Sequence, residues 1–336
     1  MSIAYEFDIR PEYGDITPVA DGVDWLRMPL PFSLSHINLW ILRDGDRIAI
    51  VDTGISSGKS REVWNTAIAG RELSRVLVTH LHPDHVGCAG WLCAEHDVEL
   101  WMSREEYFLC RILVADTGRS APEVGVKFYR AAGFPDEAID RYQEMFGMFG
   151  KFVAPLPESY IRLCDTDKVS IDNSDWEIIV GRGHSPEHAC LFNADKNVLI
   201  AGDQLLPKIS SNVSVHPTEP NANPLHDWLE SLAAMKNRLP DDVLVLPAHG
   251  SPFRGAHERL DALIAEHRDG LQKLLELCGE PCRVVDVFPA LFKARISEKN
   301  LIMATGEATA HLNYLLADGS LTAELDANGV RWYQRN

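Results

Sequence analysis

Apolar residues recur along the chain in two periods, and the switching between them sets the order of elements. Ile37-Asn38-Leu39-Trp40-Ile41-Leu42 and Ile48-Ala49-Ile50-Val51 flank Asp44-Gly45-Asp46, which reads as a hairpin in a β-rich opening layer over about residues 23–52. Val63, Trp64, Ala67 and Ile68 then follow at helical spacing and lead into Val76-Leu77-Val78-Thr79, a β-branched run expected as a buried strand. Further strand-like runs fall at 98–102, 176–180, 198–202 and 243–246, with Trp228, Leu232, Met235 and Leu239 between the last two at the spacing of a core helix. Alternating strands and helices of this kind predict a mixed α/β layered protein.

Two regions stand apart from that rhythm. Residues 103–160 form a long insertion with helical patterns (Phe108, Ile112, Ala115; Ile139, Tyr142, Met145), broken by Gly133-Phe134-Pro135 and Gly147-Met148-Phe149-Gly150. An insertion of that length is expected to carry structure of its own. Met145, Phe146, Met148, Phe149 and Phe152 suggest an apolar acyl pocket in a helical cap, or else packing onto the body or a contact in a homodimer. From Gly255 onward, Leu260, Leu263, Ile264, His267, Leu271, Leu274, Leu275 and Cys278 trace one long amphipathic helix. A shorter helix over about 301–316 and two strand-like runs, 321–325 and 329–333, complete the tail.

Composition narrows the function classes. The 336 residues suffice for one large domain and a smaller one, expected at 1–254 and 255–336. A formal net charge of −17 disfavours long polyanions as ligands, and Lys and Arg are scattered, so nucleic acid is not an expected partner. The tail itself, with 9 Lys/Arg against 12 Asp/Glu, has no basic face for DNA. No apolar stretch approaches a membrane span, and the start Met1-Ser2-Ile3-Ala4-Tyr5-Glu6 is unlike a signal peptide. Seven irregularly spaced cysteines without a CxxC pair favour reduced thiols and a cytoplasmic protein.

The chemistry is concentrated in His80-Leu81-His82-Pro83-Asp84-His85, three imidazoles and a carboxylate directly after the strand run at 76–79. Such density fits a metal site better than ordinary surface histidines. His184, Asp203 and His249 each follow an apolar run and sit beside small residues, Gly183, Gly202 and Ala248, that let the backbone bend closely. Seven donors from four strand ends can hold two divalent ions. Ser210, Ser211 and Asn212 follow Asp203 and either contact substrate or knit their own loop. Lys208 is a candidate for gripping an anion, His188 for supporting a ligand, and His36 for facing the cleft.

The ordered set HxHxDH, Gly-His, Gly-Asp and a late His resembles the metallo-β-lactamase fold superfamily over roughly residues 20–255. The resemblance implies a four-layer αββα sandwich. It implies one ion at His80, His82 and His184, a second at Asp84, His85 and His249, and Asp203 as the bridging carboxylate. Asp52-Thr53-Gly54 matches a run whose aspartate supports the site from outside the coordination sphere, although a turn-capping role fits the residue equally. An aspartate at 203, where a cysteine or serine would point to antibiotic hydrolysis, looks like the glyoxalase II, lactonase and ribonuclease Z branches. The tail resembles the small winged-helix-like domain of one subgroup. The implied function is a dinuclear hydrolase, with zinc the first choice of ion and iron or manganese the others. A metal-bound hydroxide would cleave a thioester, ester or lactone of a small acyl substrate, and Asp84 would orient the water or shuttle a proton. Phosphodiester hydrolysis, β-lactam hydrolysis and a non-enzymatic metal-binding regulator are the alternatives.

Overall fold

The computed structural model describes residues 3–7, 10–32 and 34–336. Its strands form two seven-stranded sheets and one two-stranded ribbon. The first sheet runs, edge to edge, through Ile16–Ala20, Val23–Pro29, His36–Asp44, Arg47–Val51, Leu73–Leu77, Leu100–Met102 and Ile161–Arg162, antiparallel at first and parallel from Arg47–Val51 onward. The second runs through Ala4–Tyr5, Phe253–Arg254, Leu244–Pro247, Val198–Gly202, His188–Asn193, Ser174–Gly181 and Lys168–Ile171, with Val198–Gly202 and Leu244–Pro247 paired in parallel.

Period-two alternation explains why these strands stack in layers. Trp25, Trp40, Leu42, Ala49, Val51 and Leu77 of the first sheet meet Trp176, Ile178, Leu191, Ile200 and Leu246 of the second in one core. The alternate residues point outward: Leu26, Leu39, Ile50 and Val76 pack under Trp64 of helix Gly58–Ala67 and Leu92 of helix Ala89–His96. Ile179, Leu199 and Val245 do the same under Trp228 and Leu232 of helix Pro224–Arg238. The result is helix, sheet, sheet, helix. Each fully buried Trp or Leu in it contributes about 2 kcal/mol through removal from water.

Helix Ala256–Leu277 packs on Pro224–Arg238 and on helix Leu301–Ala317, and its Leu260, Leu263 and Leu274 share the apolar cluster of the second sheet's outer face. The ribbon of Leu321–Leu325 and Arg331–Arg335 closes the chain, held to Cys282 by paired backbone hydrogen bonds with Tyr333 at 3.0 and 2.8 Å. Among the described residues, no helix is long and apolar enough to cross a membrane.

The insertion folds into helices Arg104–Ala115, Glu123–Ala131 and Asp136–Met145, followed by a short 3-10 turn. The apolar residues from Met145 to Phe152, read as a pocket or as packing onto the body, are divided there. Phe146 packs with Tyr142 beside the second sheet's outer core, and Phe149 joins the core of the first. Phe152 meets Phe32, ring to ring, at 5.7 Å, and Met145 faces solvent. The chain turns at Gly147 (φ +74°), between the stretch that packs on one core and the stretch that packs on the other.

Candidate metal centre

The strands that carry the candidate residues end together. Leu73–Leu77 leads to His80, Ser174–Gly181 to His184, Val198–Gly202 to Asp203 and Leu244–Pro247 to His249. Pro83 opens the short helix Pro83–Val86, where its missing N–H costs nothing, and this turn places Asp84 and His85 after His82. Two glycines permit the approach. Gly202 has φ +51°, and a Cβ there would stand 2.5 Å from His188 Nε2; Gly183 has φ +103°, and a Cβ would stand 2.5 Å from Trp228. Any larger residue at either position would displace a ligand loop.

Four residues, His80, His82, His184 and Asp203, bring one donor atom each to within 4.8 Å of one another, and Asp84, His85 and His249 do the same beside them. In the first group His80 Nε2 lies 2.9 Å from His82 Nδ1 and 3.3 Å from His184 Nε2. In the second, His249 Nε2 lies 3.3 Å and His85 Nε2 3.8 Å from Asp84 Oδ2. Asp203 touches both: its Oδ2 is 3.4 Å from His184 Nε2 and 3.6 Å from His85 Nε2, and its Oδ1 is 3.5 Å from His249 Nε2. All seven residues nominated from sequence are thus brought to one cleft.

The donors fit a pair of cations. His85 Nε2, His249 Nε2 and Asp203 Oδ1 are buried without a hydrogen-bond partner, which is costly unless something positive meets them. The remote nitrogens settle the tautomers. His85 Nδ1 donates to Asp52 Oδ2 at 2.8 Å, His184 Nδ1 to the Asn212 carbonyl at 2.7 Å and His249 Nδ1 to the His36 carbonyl at 2.8 Å. Each bond leaves an Nε2 lone pair facing the centre. Burial, reinforced by neighbouring imidazoles, depresses His80 well below the usual histidine range and His82 to about 3. Burial opposes charge on His85 and His249 too, but Asp52, Asp84 and Asp203 overcome it at His85, and Asp203 and Asp84 at His249, so both are raised. Asp203 is conversely held far below the usual carboxylate range, because His249 and His85 outweigh its burial.

Around these donors lies a supporting set. Asp52 sits at φ +62°, a strained region for a side-chain-bearing residue, and accepts from the Thr79 N–H at 2.8 Å and from the Thr79 hydroxyl as well as from His85. This supporting contact, rather than a turn cap, occupies its carboxylate. His188 Nε2 accepts from the Asp203 N–H at 3.1 Å, and its ring stacks on His80 at 4.7 Å. The Asn38 amide donates to the carbonyls of Pro247 and Gly250, bracketing His249. Glu106, on the first insertion helix, accepts from the Leu81 N–H at 2.9 Å and the Glu187 N–H at 2.8 Å, so one buried carboxylate ties two ligand loops together. Glu106, Thr79 and Asn38 carried no sequence signal of this role, since each acts through contacts far away in the chain.

The remaining candidates take structural places. His36 contributes its backbone carbonyl, while its ring accepts from the Gly250 N–H at 3.4 Å. The Lys208 ammonium stands over the Tyr5 ring at 5.9 Å. Ser211 donates to the Asp203 carbonyl, Ser210 meets His267 at 3.1 Å, and Asn212 meets Glu307 at 2.7 Å, so this loop is knit to the protein.

Comparison with known proteins agrees with this architecture. A crystal structure of a β-lactamase domain protein from Burkholderia ambifaria is 40% identical and superposes with a TM-score of 0.91 over 99% of this chain and 98% of its own. The probable metallo-hydrolase YqjP of Bacillus subtilis is 23% identical over 91% of this chain and 95% of its own length. An atrochrysone carboxyl ACP thioesterase of Aspergillus fumigatus is 24% identical over 68% of this chain and 41% of its own. Residues 271–336 match the metallo-beta-lactamase-like C-terminal domain. Residues 33–249, well over half of the chain, match the metallo-beta-lactamase superfamily, and the chain belongs to that family.

Proposed function

We propose that this protein is a dinuclear metal-dependent hydrolase that cleaves a thioester, ester or lactone of a small acyl substrate. Asp203 is the observation that carries the reading: one carboxylate within 3.4 to 3.6 Å of imidazoles from both donor groups. Five imidazoles and two carboxylates suit borderline divalent ions, and zinc is our choice for both, with iron or manganese served by the same donors. A bound pair of such ions would supply Lewis acidity and bring the pKa of a bound water toward neutrality.

The protein's own groups do the rest. Asp52, the Asn212 carbonyl and the His36 carbonyl fix three imidazoles in the tautomers that coordination needs. Asp84 is the one acidic donor reaching solvent appreciably, with its side chain 19% exposed, so it is the group we assign to orienting water and carrying a proton outward. A carboxylate rather than a sulfur at 203, and a relative named as a thioesterase, support acyl chemistry. A net charge of −17 weighs against long polyanions. Seven free cysteines suit the reducing cytoplasm, where we place the protein.

The test is metal analysis followed by a panel of acyl-CoA, S-lactoylglutathione, homoserine lactones, bis-p-nitrophenyl phosphate and nitrocefin. Turnover of the acyl compounds by the metal-loaded protein, lost in His82→Ala, is expected. Cleavage confined to the phosphodiester or to nitrocefin would overturn the reading.

A further inference from the structure

The tail's helices reach the metal centre through the loop that follows Asp203, and what they do there builds on the reading just given. Several contacts hold that loop from the C-terminal side, among them Arg259 donating to the carbonyls of Leu206 at 2.6 Å and Ile209 at 2.9 Å. Ser210 Oγ lies 3.1 Å from His267 Nε2 on helix Ala256–Leu277. The Asn212 amide nitrogen donates to Glu307 Oε2 at 2.7 Å, and the Val215 N–H donates to the Gly306 carbonyl at 3.1 Å, both on helix Leu301–Ala317. That helix approaches so closely at Gly306 that a Cβ there would stand 2.6 Å from Ser214 Oγ.

Ser214 Oγ in turn donates to Asn212 Oδ1 at 2.5 Å. Both ends of the Asn212 side-chain amide are therefore engaged, one by a neighbour in the loop and one by a carboxylate from the tail. Burial pushes the Glu307 carboxyl up to about 7, so at neutral pH this bond is only partly charge-assisted. With its side chain pinned, Asn212 directs its backbone carbonyl at His184 Nδ1, 2.7 Å away.

We propose that Glu307 is a positioning residue for the metal centre: acting through Asn212, it fixes the tautomer and ring orientation of His184, so the C-terminal helices complete the site. Groups one step behind a ligand typically change metal affinity by about 10- to 100-fold when removed. Glu307 lies two hydrogen-bonded residues behind the donor atom, on an element that belongs to no ligand-bearing strand. Removal of the tail's contribution should therefore be felt at the His80, His82 and His184 group first.

The experiment compares Glu307→Ala, Glu307→Gln and Asn212→Ala in the full chain. In metal-free protein, NMR of the His184 imidazole should show a slowly exchanging Nδ1 proton in wild type and in Glu307→Gln, which keeps a carbonyl acceptor. That signal should shift or vanish in Glu307→Ala and Asn212→Ala. In cobalt-substituted protein, chelator competition should show roughly 10- to 100-fold weaker binding in the two alanine variants, with an altered visible spectrum, and near wild-type behaviour in Glu307→Gln. Wild-type proton signal and wild-type cobalt affinity in Glu307→Ala would overturn the proposal. Should Glu307→Ala fail to fold, Asn212→Ala decides in the same way, because it deletes the link and leaves the carboxylate in place. Wild type that binds no cobalt, yet whose His184 signal depends on Glu307, would overturn the metal reading while upholding the positioning role.

Discussion

His80 and His82 lie among other imidazoles and are kept neutral by burial, whereas in the same cleft His85, beside Asp52, Asp84 and Asp203, and His249, beside Asp84 and Asp203, are raised above the usual histidine range. In the one group burial and like charge discourage a proton; in the other, neighbouring carboxylates favour it. The supports differ correspondingly. His184 leans on the neutral carbonyl of Asn212, while His85 leans on the carboxylate of Asp52, itself braced by Thr79. The contrast teaches that His184 and His85 are held by different means: the first by a loop tied to the tail, the second by a charged carboxylate, with His249 held by the His36 carbonyl.

Asp203 is where the two halves meet, so its removal should have the largest effect. Asp203→Ala is expected to abolish turnover and to reduce the metal content of both groups, measured by elemental analysis after dialysis. Full retention of one ion would show that the halves are independent. Asp52→Asn comes next and should divide them. Asparagine tolerates the left-handed backbone at position 52, so the fold should stand while the charge behind His85 is lost. The acidic group should then bind its ion about 10- to 100-fold more weakly, with the histidine group nearly unaffected. A chelator titration that becomes biphasic is the expected result; uniform weakening at both would break the comparison.

Much of this centre was legible in the chain because ligands at strand ends leave local marks. The dense run from His80 to His85 and the small residues before His184, Asp203 and His249 are such marks, and all seven donors meet in the structure. The strand before His80 ends at Leu77, two residues earlier than its apolar pattern suggests, because Thr79 leaves the sheet to donate to Asp52. The supports were less legible. Glu106 stands on a helix whose pattern reads as ordinary packing, and its partners at 81 and 187 are set by tertiary approach alone. Asn212 and His36 act on the ligands through backbone carbonyls, which every residue has, so identity at those positions says little. The apolar residues of the insertion left a pocket and packing onto the body both open, and the structure shows packing: the turn between them sends Phe146 to one core and Phe149 to the other.

Proton release is the smallest effect and the most direct reading of the electrostatic difference. An imidazole coordinates only when the donor nitrogen is bare, so any proton held there must leave as the ion arrives. His85 is raised well above the usual histidine range by Asp52, Asp84 and Asp203, so in the metal-free protein it takes up a proton far more readily than His80 or His82 and should release more of it on coordination. His82, depressed to about 3, and His80, lowered as well, are already neutral at pH 7 and release nothing. The sign follows for affinity: the acidic group should bind more tightly as pH rises toward the folded pKa of His85 and lose affinity below it. The pH dependence contributed by His80 and His82 should stay flat until far more acidic conditions. Calorimetric titration of metal-free protein at pH 7, in buffers of differing ionisation enthalpy, should give proton release in the acidic-group binding phase and little in the other. Equal release in both phases would mean that Asp203 couples the groups strongly enough to share one titration, and the contrast between neutral and charged halves would dissolve into a single site.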